Sequence, residues 1–368
     1  MAATILNVLH MRHLAGTERM HLQYTLMLAH AGYHVVCLVP DNARVSDELR
    51  NNPNITLVED AGIHLNKGKL NPLRDKKYRA LVKQYRPDVV ITHSGGLTRL
   101  FKRVCKGLGC PVVAVNHNTN PKQSCRADYV IAASRPTYDQ LIGQYAMNPD
   151  QVKLLFNFTD MPNDAPTIAP YRTPPVVGYL GRMDDNKNVE TLMRALELLH
   201  QRGTDFRAVI GGDGPNRRGL EAMAKRAGLD EQITFTGWEE SQYEFFSELD
   251  ILVFCSYSEA LPLVMLEAAK YGKPRISSNF PGADDLVQAP DTGLMYPCGD
   301  ANALADAIAT LLADEKQAHS MALRAYDHTR EHYATHVARD QLTGFIDYIL
   351  QQQSAAAGGT HAPDATAR

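Results

Sequence analysis

The stretch Val176-Val177-Gly178-Tyr179-Leu180-Gly181-Arg182-Met183-Asp184-Asp185-Asn186-Lys187-Asn188-Val189 changes character twice. Its first five residues are mainly β-branched or apolar, a run short enough for a buried strand. Glycine and charge follow. From about Asn188 to residue 200, apolar positions recur at helical spacing. A strand, a turn and a helix in that order form half of a parallel β-α-β unit, because parallel strands need a long crossover. The pattern repeats downstream, with strands at 208–210, 233–235, 251–254 and 275–277 and helices at 217–227, 262–271 and 301–312. Residues 176–335 therefore read as a doubly wound α/β domain.

Upstream the same alternation occupies residues 1–160. Strands are expected at 5–9, 35–39, 55–58, 89–92, 112–115 and 129–132, with helices at 18–31, 78–85, 97–108 and 136–145. The segment 157–175 carries five prolines and neither period, so 161–175 is expected to be a linker. A last amphipathic helix is expected within 336–352, packing back on the first domain. Residues 353–368, mostly Ala, Gly, Thr and Pro without a core pattern, are expected to be a disordered tail. A chain of 368 residues suits two domains, and two domains imply a cleft between them.

Hydrophobic residues at 44% and charged residues at 21% are the proportions of a globular protein. No apolar run reaches the roughly 20 residues that a bilayer requires. The short run at 5–9 is followed at once by His10, Arg12 and His13, too brief for a signal-peptide core. A cytoplasmic location is expected, with peripheral contact on the inner face of the cell membrane as a further option. The six cysteines show no zinc-ligand spacing and read as reduced thiols.

The charge is uneven. Residues 1–160 hold 20 Lys/Arg against 12 Asp/Glu. Between His64 and Lys106 the acids are only Asp75 and Asp88, against a dense series of Lys and Arg. Such a patch suits phosphate or an anionic lipid surface, and equally suits a solvated helix face. Nucleic acid is not expected, since no nucleic-acid module accompanies the patch.

Ligands of an open parallel sheet gather at the carboxyl ends of the strands, where turns and helix N-termini offer N–H groups to anions. Four candidates stand there in the second half. Gly181 lets the backbone turn, while Arg182 and Lys187 set two positive charges beside a helix start, which suits a diphosphate and also suits solvated surface. The run Gly211-Gly212-Asp213-Gly214-Pro215 reads as a tight turn near the ligand. Gly237-Trp238 places the sole tryptophan at a strand end, either against a flat base or in the core. After the strand at 251–254, Glu259-Ala260-Leu261-Pro262-Leu263 leads into a helix with Pro262 expected at its first position. Glu267, among Leu, Val and Ala on that helix, needs either a partner such as a pair of sugar hydroxyls or an exposed or ion-paired position. Glu259 can accept from a hydroxyl or cap the helix.

The order Gly181-Arg182-x4-Lys187, Gly211-Gly212-Asp213-Gly214-Pro215, Gly237-Trp238 and Glu259-x7-Glu267 resembles the donor half of family 4 retaining glycosyltransferases. In the first half, Ala15-Gly16-Thr17-Glu18-Arg19 resembles the family's Gly-Gly loop, and His117 resembles its cleft histidine. The chain departs from the pattern at Ala15, where the loop's first glycine usually stands. It departs again at Pro281-Gly282-Ala283-Asp284-Asp285, in place of a Gly-Gly-x-x-Glu turn.

The resemblance implies an α/β GT-B fold, two Rossmann-like domains facing a central cleft, the first for the acceptor and the second for a nucleotide sugar. It implies that Arg182 and Lys187 bind the donor diphosphate, Glu267 the ribose, and Glu259 the transferred sugar. Gly16, Gly181, Gly212, Trp238, Ala260, Leu261, Pro262 and Leu263 would complete the donor site, and His117 would meet the sugar from the acceptor side. Transfer with retention, and with neither metal nor cofactor, is expected. The acceptor is expected to be a glycan or a lipid-linked glycan, as in bacterial surface polysaccharide or lipopolysaccharide synthesis. A nucleotide-sugar epimerase of the same fold and a non-catalytic nucleotide-sugar-binding protein are the alternatives, and a phosphorylase is disfavoured because nothing resembles a pyridoxal-phosphate lysine segment.

Overall fold

The apolar runs at 4–8 and 89–92 lie side by side in a parallel sheet, with Ile5 opposite Val89. A computed structural model describes residues 2–9, 16–41, 45–60, 71–238 and 241–358. The chain divides into two units, residues 1–156 with 336–368, and residues 157–335.

The first unit comprises β1 (Thr4–Val8), α1 (Gly16–His30), β2 (His34–Val39), α2 (Asp47–Asn51), β3 (Ile55–Glu59) and α3 (Pro72–Tyr85). There follow β4 (Val89–Thr92), α4 (Gly95–Val104), β5 (Val112–Asn116), β6 (Tyr129–Ala132), α5 (Arg135–Gly143) and β7 (Val152–Leu154). The strands lie in the order β3-β2-β1-β4-β5-β6-β7. Caps set the helix starts. Asn71, Ser94 and Ser134 accept from Arg74, Leu97 and Thr137 N–H, at 3.1, 3.4 and 3.4 Å. Leu6, Val36, Val90 and Val112 pack under Tyr78 and Phe101 of the covering helices.

The second unit runs β8 (Val176–Leu180), α6 (Val189–Gln201), β9 (Arg207–Gly211), α7 (Arg217–Arg226), β10 (Ile233–Gly237), α8 (Gln242–Ser247) and β11 (Ile251–Phe254). It continues with α9 (Leu263–Lys270), β12 (Arg275–Ser278), α10 (Ala283–Leu286), β13 (Leu294–Tyr296), α11 (Ala301–Ala313) and α12 (Glu315–Tyr333). Its sheet has the order β10-β9-β8-β11-β12-β13. Both sheets thus grow in one direction for three strands and then restart on the other side of the first.

Several expectations need correction. The proline-rich segment is tied to the second unit: Asp250, 5% exposed, accepts from the Arg172 guanidinium at 2.8 Å and from Val176 N at 2.7 Å. Tyr171 N donates to Glu315 at 3.0 Å, and the Tyr326 hydroxyl faces the carbonyls of Pro162 and Asp164. Helix α13 (Thr335–Gly358) extends past 352, so residues 353–358 are helical rather than disordered. Its Asp347 and Gln353 bond Tyr33, Asp88 and Gly109 of the first unit. Helix α12 was not expected. Its buried stripe is Ala318, Met321, Ala322, Ala325, Tyr326, Thr329 and Tyr333, too rich in small and polar residues for a clear apolar period.

The basic stretch is partly neutralised. Arg103 pairs with Asp75 at 2.9 Å, and acids from outside the stretch, Asp60 and Asp128, meet Lys77 and Lys102 at 2.5 Å each. Arg79 donates to the carbonyls of Val104 and Lys106. Lys76, Lys83, Arg86 and Lys106 are exposed; residues 64–70 lie outside the described ones. No helix is long and apolar enough to cross a membrane among the described residues.

Candidate functional site

In the second unit the order of strand growth reverses between β8 and β11. The loops leaving those strands therefore flank a crevice at their carboxyl ends, the usual place for a ligand in such a sheet. The loop after β8 holds Gly181, Arg182 and Lys187, and the loop after β11 holds Glu259 through Pro262. Lys187 Nζ lies 2.7 Å from Glu259 Oε1 and 5.6 Å from the centre of the Phe254 ring at the end of β11. Both side chains are about four-fifths buried, with exposures of 23% and 19%. Asn186 fastens the two loops: its Nδ2 donates to Ser258 O at 2.8 Å, and its carbonyl accepts from Tyr257 N at 2.8 Å. Arg182 behaves differently. Its side chain is 69% exposed, 3.3 Å from Asp184.

The turn after β9 packs directly on the turn after β8. Gly181 N donates to Gly211 O at 3.1 Å, and Met183 N to Asp213 O at 2.9 Å. Gly212 has φ +108°, and a Cβ there would lie 1.9 Å from Gly181 O. Only glycine fits. Asp213 accepts from Gly214 N, a local turn bond in keeping with a structural role.

Pro262 is the residue before α9 (φ −74°, ψ 120°) and not its first helical residue; the helix opens at Leu263. Ala260 and Leu261 are each 4% exposed, and Leu261 O accepts from Asn157 Nδ2 at 2.7 Å. The first N–H groups of α9 lie outside the helix's own bonding pattern and form the positive end of its dipole. Glu267 is 2% exposed, which excludes an exposed position, and Gln242 Nε2 donates to it at 2.8 Å. Trp238, directly after β10, is 60% exposed, which excludes core packing.

Backbone bonding thus joins the turn of Gly181 to that of Gly212, and Lys187 meets Glu259, while Arg182 lies on the loop after β8, Trp238 follows β10, Ala260, Leu261 and Pro262 lead into α9, and Leu263 and Glu267 lie on it. Gly16 and His117 belong to the first unit. Gly16 begins α1, and Ala15 before it lies outside the described residues. His117 follows β5, half-buried, with Nε2 2.8 Å from Nδ1 of His93. Sequence reading missed His93, Asn186 and Gln242. His93 stands directly after β4, a position that by itself does not mark a histidine as functional; His117 is named by the family resemblance alone. Among the described residues no three His, Cys, Asp or Glu side chains gather as a metal cage.

Two family models cover most of the chain. "Glycosyltransferase Family 4" matches residues 14–161 and "Glycosyl transferases group 1" matches residues 160–328. The chain belongs to the family 4 glycosyltransferases. This family member is 33% identical over 177 residues to an alpha-D-kanosaminyltransferase of Streptomyces kanamyceticus, covering 48% of this chain and 46% of that one. It is 28% identical over 220 residues, 59% of each chain, to a Campylobacter jejuni alpha-1,4-N-acetyl-D-galactosaminyltransferase named for a diphospho-undecaprenol-linked trisaccharide. The chain spans about half the length of these curated relatives. Its fold is similar to Anabaena HepE, crystallised in complex with UDP, with a TM-score of 0.76 at 18% identity over 94% of this chain and 100% of that one. The GT-B architecture of this glycosyltransferase family is the fold seen here.

Proposed function

We propose that the chain transfers a sugar, with retention of anomeric configuration and without a metal or other cofactor, from a nucleoside-diphosphate sugar to a lipid-linked or free glycan. The observation that carries the reading is Lys187, held at the reversal point of the second sheet by Glu259 and Phe254. Breaking the anomeric C–O bond leaves negative charge on the departing diphosphate, so a fixed cation and oriented N–H groups stabilise what the reaction creates. Lys187 and the start of α9 supply these, and Arg182 adds an exposed charge. Glu259, already tied to Lys187, meets hydroxyls of the transferred sugar. Glu267, steadied by Gln242, accepts from the ribose hydroxyls. Trp238, largely exposed, is assigned to the base.

The first unit is assigned the acceptor, with His117 as its polar group for the sugar. A lipid-linked acceptor is favoured by the name of the Campylobacter relative and by the exposed Lys76, Lys83, Arg86 and Lys106, which suit an anionic membrane surface on the cytoplasmic side. Flotation with liposomes tests this last point: binding indifferent to anionic lipid and to salt removes it.

The deciding experiment is thermal stabilisation by a panel of UDP-, GDP- and ADP-sugars, followed by transfer of labelled sugar to undecaprenol-linked acceptors. Formation of a glycosylated product supports transfer. Conversion of the donor sugar to its epimer without acceptor supports an epimerase, and stabilisation without any turnover supports a binding protein.

A further inference from the structure

The sheet of the first unit reverses its growth between β1 and β4, and a row of polar side chains crosses that point. Asn7 of β1 is fully buried, His93 after β4 is 3% exposed, and His117 follows β5. Asn7 Nδ2 donates to Thr25 Oγ1 at 2.9 Å and to the carbonyl of His21 at 3.1 Å, both on α1. The Thr25 hydroxyl in turn donates to that same carbonyl at 3.0 Å. Both amide protons of Asn7 are therefore spent. Turning the amide over would set its oxygen against a carbonyl oxygen, so its orientation follows from the network.

Asn7 Oδ1 faces His93 Nε2 at 2.9 Å. An amide oxygen only accepts, so His93 carries a proton on Nε2. Burial, reinforced by His21 and His117, holds the His93 pKa well below the usual value, and the ring is neutral. One proton is all it has. Its Nδ1 is a bare acceptor, and 2.8 Å away stands His117 Nε2. The ring centres are 5.1 Å apart and the planes differ by 14°. With so short an N···N contact, that separation requires the rings to meet edge to edge in nearly one plane, the geometry of an N–H···N bond rather than of stacked faces.

We propose that Asn7 and His93 are positioning residues that lock the proton of His117 on Nε2, and so fix Nδ1, which is buried in this structure, as the acceptor edge of the ring toward substrate. Nδ1 then accepts a hydrogen bond from a hydroxyl, while the far edge keeps its own proton on Nε2. The substrate is the hydroxyl-bearing sugar or acceptor, and that part of the inference rests on the transferase reading. The tautomer itself does not.

The test is nitrogen NMR of the full chain labelled with 15N-histidine at neutral pH, resonances assigned with His117→Gln and His93→Gln. The expected result is a scalar coupling across the hydrogen bond between His117 Nε2 and His93 Nδ1, with His117 protonated at Nε2. A His117 protonated at Nδ1, or a His93 protonated at Nδ1, overturns the proposal. In parallel, His93→Leu is expected to lower kcat about tenfold with the donor KM unchanged, and His93→Gln, which again offers one donor and one acceptor, to recover most of the loss. Equal loss in both variants with intact melting curves also overturns it. If the coupling is present and no acceptor is ever glycosylated, the tautomer lock stands and the transferase reading falls.

Discussion

Lys187 Nζ and Glu259 Oε1 lie 2.7 Å apart although 72 residues separate them, and their bond joins the two loops between which the second sheet reverses its order. The pair is neutral as a whole. Each partner, mostly withdrawn from water, fixes the other in place.

Replacing Lys187 by Ala removes the fixed charge that the proposed function sets against the departing diphosphate. The expected loss in kcat/KM is about 100- to 1000-fold, with a melting curve still cooperative. Steady-state kinetics decides this, and rates close to the parent's refute the assigned role.

Glu259→Gln leaves Lys187 without its counter-charge. The product nucleoside diphosphate should then bind about tenfold tighter, roughly 1.4 kcal/mol, while turnover falls because one of the two carboxylate oxygens offered to the sugar becomes an amide donor. Calorimetric titration with the diphosphate checks the first half; unchanged or weaker binding contradicts it.

Gly212→Ala forces a Cβ to within 1.9 Å of Gly181 O at φ +108°. Left-handed strain and overpacking together should cost roughly 2–4 kcal/mol, and the distorted turn should also weaken donor binding. Urea unfolding measures the first effect, and an unshifted midpoint rules it out.

Turnover should persist in excess chelator, because Lys187, Arg182 and the α9 N-terminus are assigned the leaving-group charge. Activity abolished by EDTA and restored by magnesium reverses the assignment.

Stability should fall on acidification. His21 is fully buried, and burial, which outweighs a backbone contact from Asn7, lowers its pKa to about 3. Below about pH 6.5 the unfolded chain therefore binds a proton that the folded chain refuses until about pH 3. Stability is present above the unfolded pKa and lost through that window, at up to about 1.4 kcal/mol per pH unit. Buried His93 acts in the same direction. A His21→Leu variant should lose less stability than the parent between pH 7 and pH 5 in urea titrations; identical losses exclude the effect.

Much of the site was legible because its signals are local. A strand followed by glycine and a basic residue, or by a helix opened near Pro262, is written in consecutive residues, and so are the turns that place Arg182, Lys187 and Glu259 at strand ends. Helix α12 was not legible, since its buried stripe of Ala and Tyr lacks a strong apolar period. Whether Trp238 faced core or solvent had no local answer either.

The amino-acid sequence by itself determined the two α/β halves, the loops that carry the candidate residues and the chemistry those residues offer. Tertiary structure alone decided who meets whom: Lys187 with Glu259, Glu267 with Gln242, and Asn7 with His93 and His117. The reason is topological. β1 lies beside β4 and β8 beside β11, so the loops that touch are distant in the chain, and no periodicity along it encodes that order.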